Sequence, residues 1–158
     1  MRIALSNDHA GFALKPYVKD LLTALGHEVT DVGTADDTPV DFPLMTQRVT
    51  RLVVSGDADR GVLVCGTGVG AAIAANKVAG IRAAVIHDTH VARQAVEHDD
   101  VNVACLGAWI IGSKIAADVL TEYLAASFST APEFRRRVEQ LAAMDAARTS
   151  VEGSRDNA

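Results

Sequence analysis

Five short apolar runs, each followed by a longer helical pattern, constrain this chain more than any other feature of its sequence. "RIALS" (2–6), "EVTDV" (28–32), "GVLVC" (61–65), "RAAVI" (82–86) and "VNVACL" (101–106) are nearly continuous in β-branched and aliphatic residues. Strands buried on both faces read this way, whereas strands with one wet face alternate. Helical spacing follows at about 11–25, 42–55, 69–79, 89–97 and 112–127. The first of these shows Phe12, Leu14, Val18, Leu21, Leu22 and Leu25 before stopping at Gly26.

Strands alternating with helices predict an α/β fold, a doubly wound five-stranded parallel sheet with right-handed crossovers. Ligands of such sheets sit beyond the carboxyl ends of the strands. Those ends read Ser6-Asn7-Asp8-His9, Gly33-Thr34, Cys65-Gly66-Thr67-Gly68, His87-Asp88 and Gly107-Ala108, so polar and glycine residues gather where a site is expected. After the fifth unit, Pro132 suits a first helical turn, and Phe134, Val138, Leu141 and Met144 form one apolar stripe. A C-terminal helix packing on a partner subunit, and hence a homo-oligomer, is expected. The 158 residues suit one domain, read as 1–148 with a disordered tail at 149–158.

The net charge of −5 gives no support for nucleic acid or a membrane surface as partner. An acidic residue arrives by Asp8, too early for a secretory signal, and no run approaches the roughly 18 apolar residues of a spanning helix. A cytoplasmic protein is expected, with Cys65 and Cys105 as thiols rather than a disulfide.

The glycine loop "CGTGVGAA" follows a strand and opens a helix, and the backbone N–H groups of such a turn form an anion cradle. Gly66, Gly68 and Ala71, with Asp88 ending the next strand, also outline a dinucleotide fingerprint, and a purely structural turn is a third possibility. Cys65 is either a buried small hydrophobe or a thiol whose pKa the helix N-terminus lowers, able to act as nucleophile or base. Thr67 offers a hydroxyl to the same ligand. Asp8 and His9 end the first strand, which neighbours the third in the common strand order, so carboxylate, imidazole and thiol are expected in one crevice; Asp8 also suits a helix N-cap. His98 is either an exposed turn histidine or a proton-transfer group set beside them at a neighbouring strand end. His87 and His90 have metal-like spacing without an evident third ligand. Arg135, Arg136 and Arg137 are either a solvated helix face or a phosphate contact across a subunit boundary.

Taken together, the chain resembles the type B ribose-5-phosphate isomerases and their galactose-6-phosphate isomerase relatives. The likeness spans residues 1 to about 145 and rests on "DHAG" (8–11), "GTADDTPVDFP" (33–43), "CGTGVG" (65–70), "AANKVAGIRAA" (74–84), "EHDDVNV" (97–103) and "RRVE" (136–139). It implies a Rossmann-like fold, a homodimer or tetramer with sites shared between subunits, and no metal or cofactor. Cys65 resembles the base that moves a proton between C1 and C2 of the open-chain sugar through a cis-enediolate. Thr67 and the amides of Gly66, Gly68, Val69 and Gly70 resemble the donors to the developing oxyanion. His98 resembles the group that opens the sugar ring, Asp8 holds a hydroxyl, and His9 and Arg137 resemble phosphate ligands.

Four positions depart from the family pattern. Phe42 stands where tyrosine is common, Asp99 where asparagine is usual, and Trp109 and Glu133 where arginines are common. Two phosphate cations are thereby lost, which Arg135 or Arg136 would offset by a helical shift of one or two residues. The expected function is an aldose–ketose isomerase, with ribose 5-phosphate and ribulose 5-phosphate as the leading pair. A tetrose, a hexose or a sugar lacking phosphate is the alternative, with Trp109 stacking on its apolar face. A non-catalytic sugar or nucleotide-binding module is the rival from another class.

Overall fold

The computed structural model describes residues 1–155, and the side chains of residues 1–147. Five strands, β1 (Arg2–Asn7), β2 (Glu28–Asp31), β3 (Arg60–Cys65), β4 (Ala83–Val85) and β5 (Val103–Gly107), alternate with α1 (Lys15–Ala24), α2 (Phe42–Val54), α3 (Val69–Ala75), α4 (Thr89–Asp99) and α5 (Ser113–Ala125). A final helix, α6, covers Pro132–Arg155. The strands make one wholly parallel sheet in the order β2-β1-β3-β5-β4. This is the expected α/β architecture, with β5 rather than β4 beside β3.

That order decides which face each helix covers. Right-handed crossovers that move one way along a sheet lie on one face, and those that move back lie on the other. The β1-to-β2 and β4-to-β5 crossovers run the same way, so α1 and α4 share a face, joined by α5, around Ile3, Leu5, Val62, Val64, Leu106 and Tyr123. Helices α2 and α3 pack on the opposite face against Ala4, Leu63, Val103 and Cys105. Burying each Val or Leu side chain in these layers contributes about 1.5–3 kcal/mol. Among the described residues, no helix is long and apolar enough to cross a membrane.

One departure from the expected elements has a local cause. The first helix begins at Lys15 instead of 11, because the Asp8 carboxylate accepts from Gly11 N (2.9 Å) and holds residues 9–11 in a 3₁₀ turn. Gly11 lies so close to β3 that a Cβ there would fall 2.0 Å from the Val64 carbonyl oxygen. At the far end, helical backbone continues through 149–155, past the expected boundary at residue 148, and residues 156–158 lie outside the described residues.

Candidate active site

The C-terminal end of β3 carries the thiol. Gly68 takes a left-handed φ of 80°, and its α-carbon faces the Cys105 and Leu106 main chain so closely that a Cβ would fall 3.2 Å from the Cys105 oxygen. Only glycine suits both conditions. The turn it makes aims the amides of Thr67 and Gly68 back at the sulfur of Cys65, which is half-buried. Asp8, almost fully buried at the end of the adjacent β1, accepts the thiol's hydrogen bond. The carboxylate therefore caps the 3₁₀ turn and holds the thiol at once.

These contacts reverse the expected direction of the thiol pKa. Burial, then the hydrogen bond to Asp8 and that carboxylate's charge, push Cys65 up, and the opposing amides of Gly68 and Thr67 do not offset them. Helix α3 has only seven residues, and desolvation with an adjacent anion outweighs its dipole. Burial and the neighbouring Asp8 carboxylate therefore both favour the thiol form of Cys65 over the thiolate.

His9, one residue on, is tied to the 33–43 loop, its Nδ1 accepting from Val40 N at 3.3 Å. It lines a depression of about 430 Å³ with Pro39, Val40, Asp41, Leu44 and Met45. The loop is anchored from beneath by residues that sequence reasoning missed. Asn7 donates to Thr34 Oγ1 (2.7 Å) and accepts from Thr34 N (3.0 Å). Lys15 donates to the Thr34 carbonyl (2.5 Å) and pairs with Asp31 at 3.4 Å. Its side chain is 9% exposed. Asn7 gave a faint signal, as a polar residue beside Asp8 at a strand end; a lysine before Pro16 gave none.

Two aromatic rings flank the loop from outside. The Phe42 ring lies over Gly70, 3.1 Å from where a Cβ would be, and the Trp109 indole covers Gly66 at 2.8 Å on the same measure. The turn after β5 is pinned to the loop by Ala108 N donating to the Cys65 carbonyl (2.8 Å) and Trp109 N to that of Gly66 (3.0 Å). Trp109 stays 73% exposed, so its free face is open to a ligand. Thr67 and Val69 are exposed on the same rim.

The remaining expected residues form a second cluster. Strands are parallel and α4 runs back against them, so its last turn, with His98 and Asp99, lies at the amino edge of the sheet. Cys65 lies at the carboxyl edge, and strands of five or six residues put roughly 16–20 Å between the two. His98 therefore does not reach the Cys65 of its own chain. His98 instead stacks on Phe134 of α6 beside a cavity of about 370 Å³, lined by Glu97 and the hydroxyl-rich residues 127–130. The Arg137 guanidinium lies 5.6 Å from the Phe134 ring centre and that of Arg135 lies 5.2 Å from Phe128, while Arg136 is exposed. Asp99 lines a different cavity, of about 510 Å³, with Arg82, Val101, Leu141 and Met144.

Asp88 and His87 have structural partners. Asp88, which a bound dinucleotide ribose would need, is the N-cap of α4 and accepts from Val91 N at 2.8 Å. His87 Nε2 accepts from Gly107 N at 3.0 Å and burial pushes its pKa down, leaving it no common site with exposed His90. Among the described residues, no three His, Cys, Asp or Glu side chains converge as a metal ion requires.

Comparison with known proteins follows the same lines. The Ribose/Galactose Isomerase family profile matches residues 3–141. Ribose-5-phosphate isomerase B of Escherichia coli is 38% identical over 144 residues, 91% of this chain and 96% of its own. D-erythrulose-4-phosphate isomerase 2 of Mycolicibacterium smegmatis is 34% identical over 151 residues, 93% of this chain and 99% of its own. The solved structure of Clostridium thermocellum ribose-5-phosphate isomerase B superposes with a TM-score of 0.90 at 39% identity, covering 93% of this chain and 99% of that one. With the thiol, its carboxylate and the glycine turn in place at the carboxyl edge of the sheet, the chain belongs to the ribose/galactose isomerase family and is an isomerase of the aldose–ketose class.

Proposed function

We propose that the chain interconverts ribose 5-phosphate and ribulose 5-phosphate, with Cys65 as the group that carries the proton between C2 and C1. The observation that carries this reading is the thiol itself, held at the end of β3 between the Asp8 carboxylate and the amides of Thr67 and Gly68. A raised thiol pKa means that the resting thiol must lose its proton before it can act, and Asp8 is the acceptor already in contact. The thiolate then takes the proton from C2 of the open-chain aldose. The electron pair released forms the C1–C2 double bond of the enediolate and moves charge onto the C1 oxygen. In this scheme the Thr67 hydroxyl and the amides of Gly66 and Gly70 supply the donors to that charge. Transfer of the C2 hydroxyl proton to the C1 oxygen, with return of the proton from the thiol to C1, then leaves the C2 carbonyl of the ketose.

His98 and Arg137 enter this scheme from a second copy of the chain. They lie at the opposite edge of the sheet from their own Cys65, so a site containing all three needs two protomers, and a homodimer is the smallest assembly that completes it. His98 then opens the sugar ring, and Arg137 with His9 holds the phosphate, Arg136 lying beside them.

A second reading, a four-carbon sugar phosphate, is favoured by Trp109. Its indole caps Gly66 where a smaller residue would leave room for a longer chain, and Glu133 adds negative charge on the helix of Arg137. A relative aligned over 99% of its own length is named for erythrulose 4-phosphate. The test is a panel of four- to six-carbon aldoses with and without terminal phosphate. The highest kcat/KM with ribose 5-phosphate supports the first reading, a preference for erythrose 4-phosphate the second, and no isomerisation of any member contradicts both.

A further inference from the structure

His87 lies outside the mechanism, yet its ring is the one side chain that continues a main-chain ladder into the thiol loop. The backbone pairing of β4 with β5 closes with Ile86 N donating to the Cys105 carbonyl at 3.0 Å. One step further the strands part, and the next donor on β5, Gly107 N, gives its hydrogen bond to His87 Nε2 at 3.0 Å. Because Gly107 donates, Nε2 is the unprotonated nitrogen and the ring proton sits on Nδ1. Gly107 is buried, and His87 is the acceptor that satisfies its N–H.

Gly107 in turn is the template for the residues that hold the thiol. It is the direct partner of Cys65 in the β3–β5 register. A Cβ on Gly107 would fall 2.8 Å from the carbonyl carbon and oxygen of Thr67, so the two stretches of main chain are in contact without slack. The next two amides, of Ala108 and Trp109, hold the Cys65 and Gly66 carbonyls. A shift of Gly107 therefore reaches the Thr67 and Gly68 amides that point at the sulfur.

We propose that His87 is a positioning residue for the proton-transfer site: by accepting from Gly107 N it fixes the end of β5 and thereby the aim of the Thr67 and Gly68 amides at Cys65. The proposal rests on Cys65 being the working thiol, and the experiment separates the two. His87→Leu removes the acceptor at similar volume, and His87→Gln keeps an acceptor at similar reach. Each is assayed for kcat and KM on the preferred substrate from the panel, and for the pH midpoint of Cys65 alkylation by iodoacetamide, read by peptide mass spectrometry. Cys105, fully buried, is the internal control for unfolding.

In His87→Leu, kcat is expected to fall at least tenfold with KM within about twofold, and the Cys65 midpoint to move up as the amides lose their aim. His87→Gln is expected to recover kcat to within about threefold of the parent and to restore the midpoint. A His87→Leu protein with parental kcat and midpoint overturns the proposal. So does a His87→Gln protein as impaired as His87→Leu, or Cys105 labelling that tracks the loss of activity. If the parent turns over no sugar, the functional reading fails, while the alkylation midpoints still decide the role of His87.

Discussion

The His98 imidazole lies flat on the Phe134 ring, 4.0 Å between centroids and 13° between planes. This stack joins the last turn of α4 to the first turn of α6 and fixes the plane of the one histidine assigned to ring opening. Offset aromatic pairs contribute about 0.5–1.5 kcal/mol beyond their buried area. Phe134→Ala is therefore expected to lower kcat/KM by about 2- to 12-fold while the C2 exchange of an acyclic substrate, which needs no ring opening, is unchanged. Steady-state kinetics on cyclic and acyclic substrates compares the two, and equal losses would remove His98 from the ring-opening step.

Asp8 supplies the second test because its hydrogen bond and charge push the Cys65 thiol up. Asp8→Asn keeps the shape and the Gly11 cap but removes the charge, so the alkylation midpoint of Cys65 is expected to move down. Activity is expected to fall at least a hundredfold at the same time, since the amide cannot take the thiol proton. A midpoint that stays or rises would show that the carboxylate does not govern the thiol.

Glu133 sits in the first turn of α6, where a negative side chain complements the helix dipole by about 0.3–1 kcal/mol. Glu133→Arg gives up that contribution and adds a cation one turn from Arg137. The expected outcome is a slightly lower Tm together with a several-fold lower KM for phosphorylated sugars. Unphosphorylated sugars serve as the control, and an equal KM change for them would dissociate this helix from the phosphate.

Two partly buried histidines make the fold less stable in acid. Burial lowers the pKa of His87 and of His27, opposed at His87 by Asp88 and reinforced at His27 by the N-terminal ammonium and Arg60. The unfolded chain then binds protons more readily than the folded one below about pH 6.5. The contribution of both groups is fully present above that value and is lost as pH falls through their lowered folded values. Tm is expected to drop by a few degrees from pH 7.5 to pH 5, and by less in His87→Gln. A Tm that rises with acid would contradict the burial of both rings.

Much of this site was legible because parallel α/β sheets collect ligand groups at one edge. Cys65, Thr67, Asp8 and His9 end or directly follow apolar runs, and the structure sets Asp8 beside Cys65 while His9 turns to the 33–43 loop. Phe42 and Trp109 stand out as departures from the family pattern, and both flank the loop. What the residues did not disclose depends on order in space. Chain order lists β4 before β5, and only folding shows β5 inserted beside β3, which puts Gly107 against Cys65. The direction of the thiol pKa needed the Asp8 contact and the burial, neither of which a helix N-terminus reveals. The place of His98 needed the direction of α4, which runs antiparallel to the strands and carries its last turn to the far edge. Lys15 and Asn7 anchor the 33–43 loop from below largely through main-chain atoms of Thr34, which leave no mark in sequence.

The central claim is that the Cys65 sulfur moves the proton at C2, and hydrogen exchange at that carbon tests it most directly. Ribose 5-phosphate and erythrose 4-phosphate are each incubated with the protein in D₂O, and deuterium at C2 of the aldose and C1 of the ketose is followed by NMR. The parent is expected to exchange its preferred substrate, and Cys65→Ala to lose at least three orders of magnitude in exchange while its Tm stays within a few degrees. Exchange at parental rate in Cys65→Ala would contradict the account.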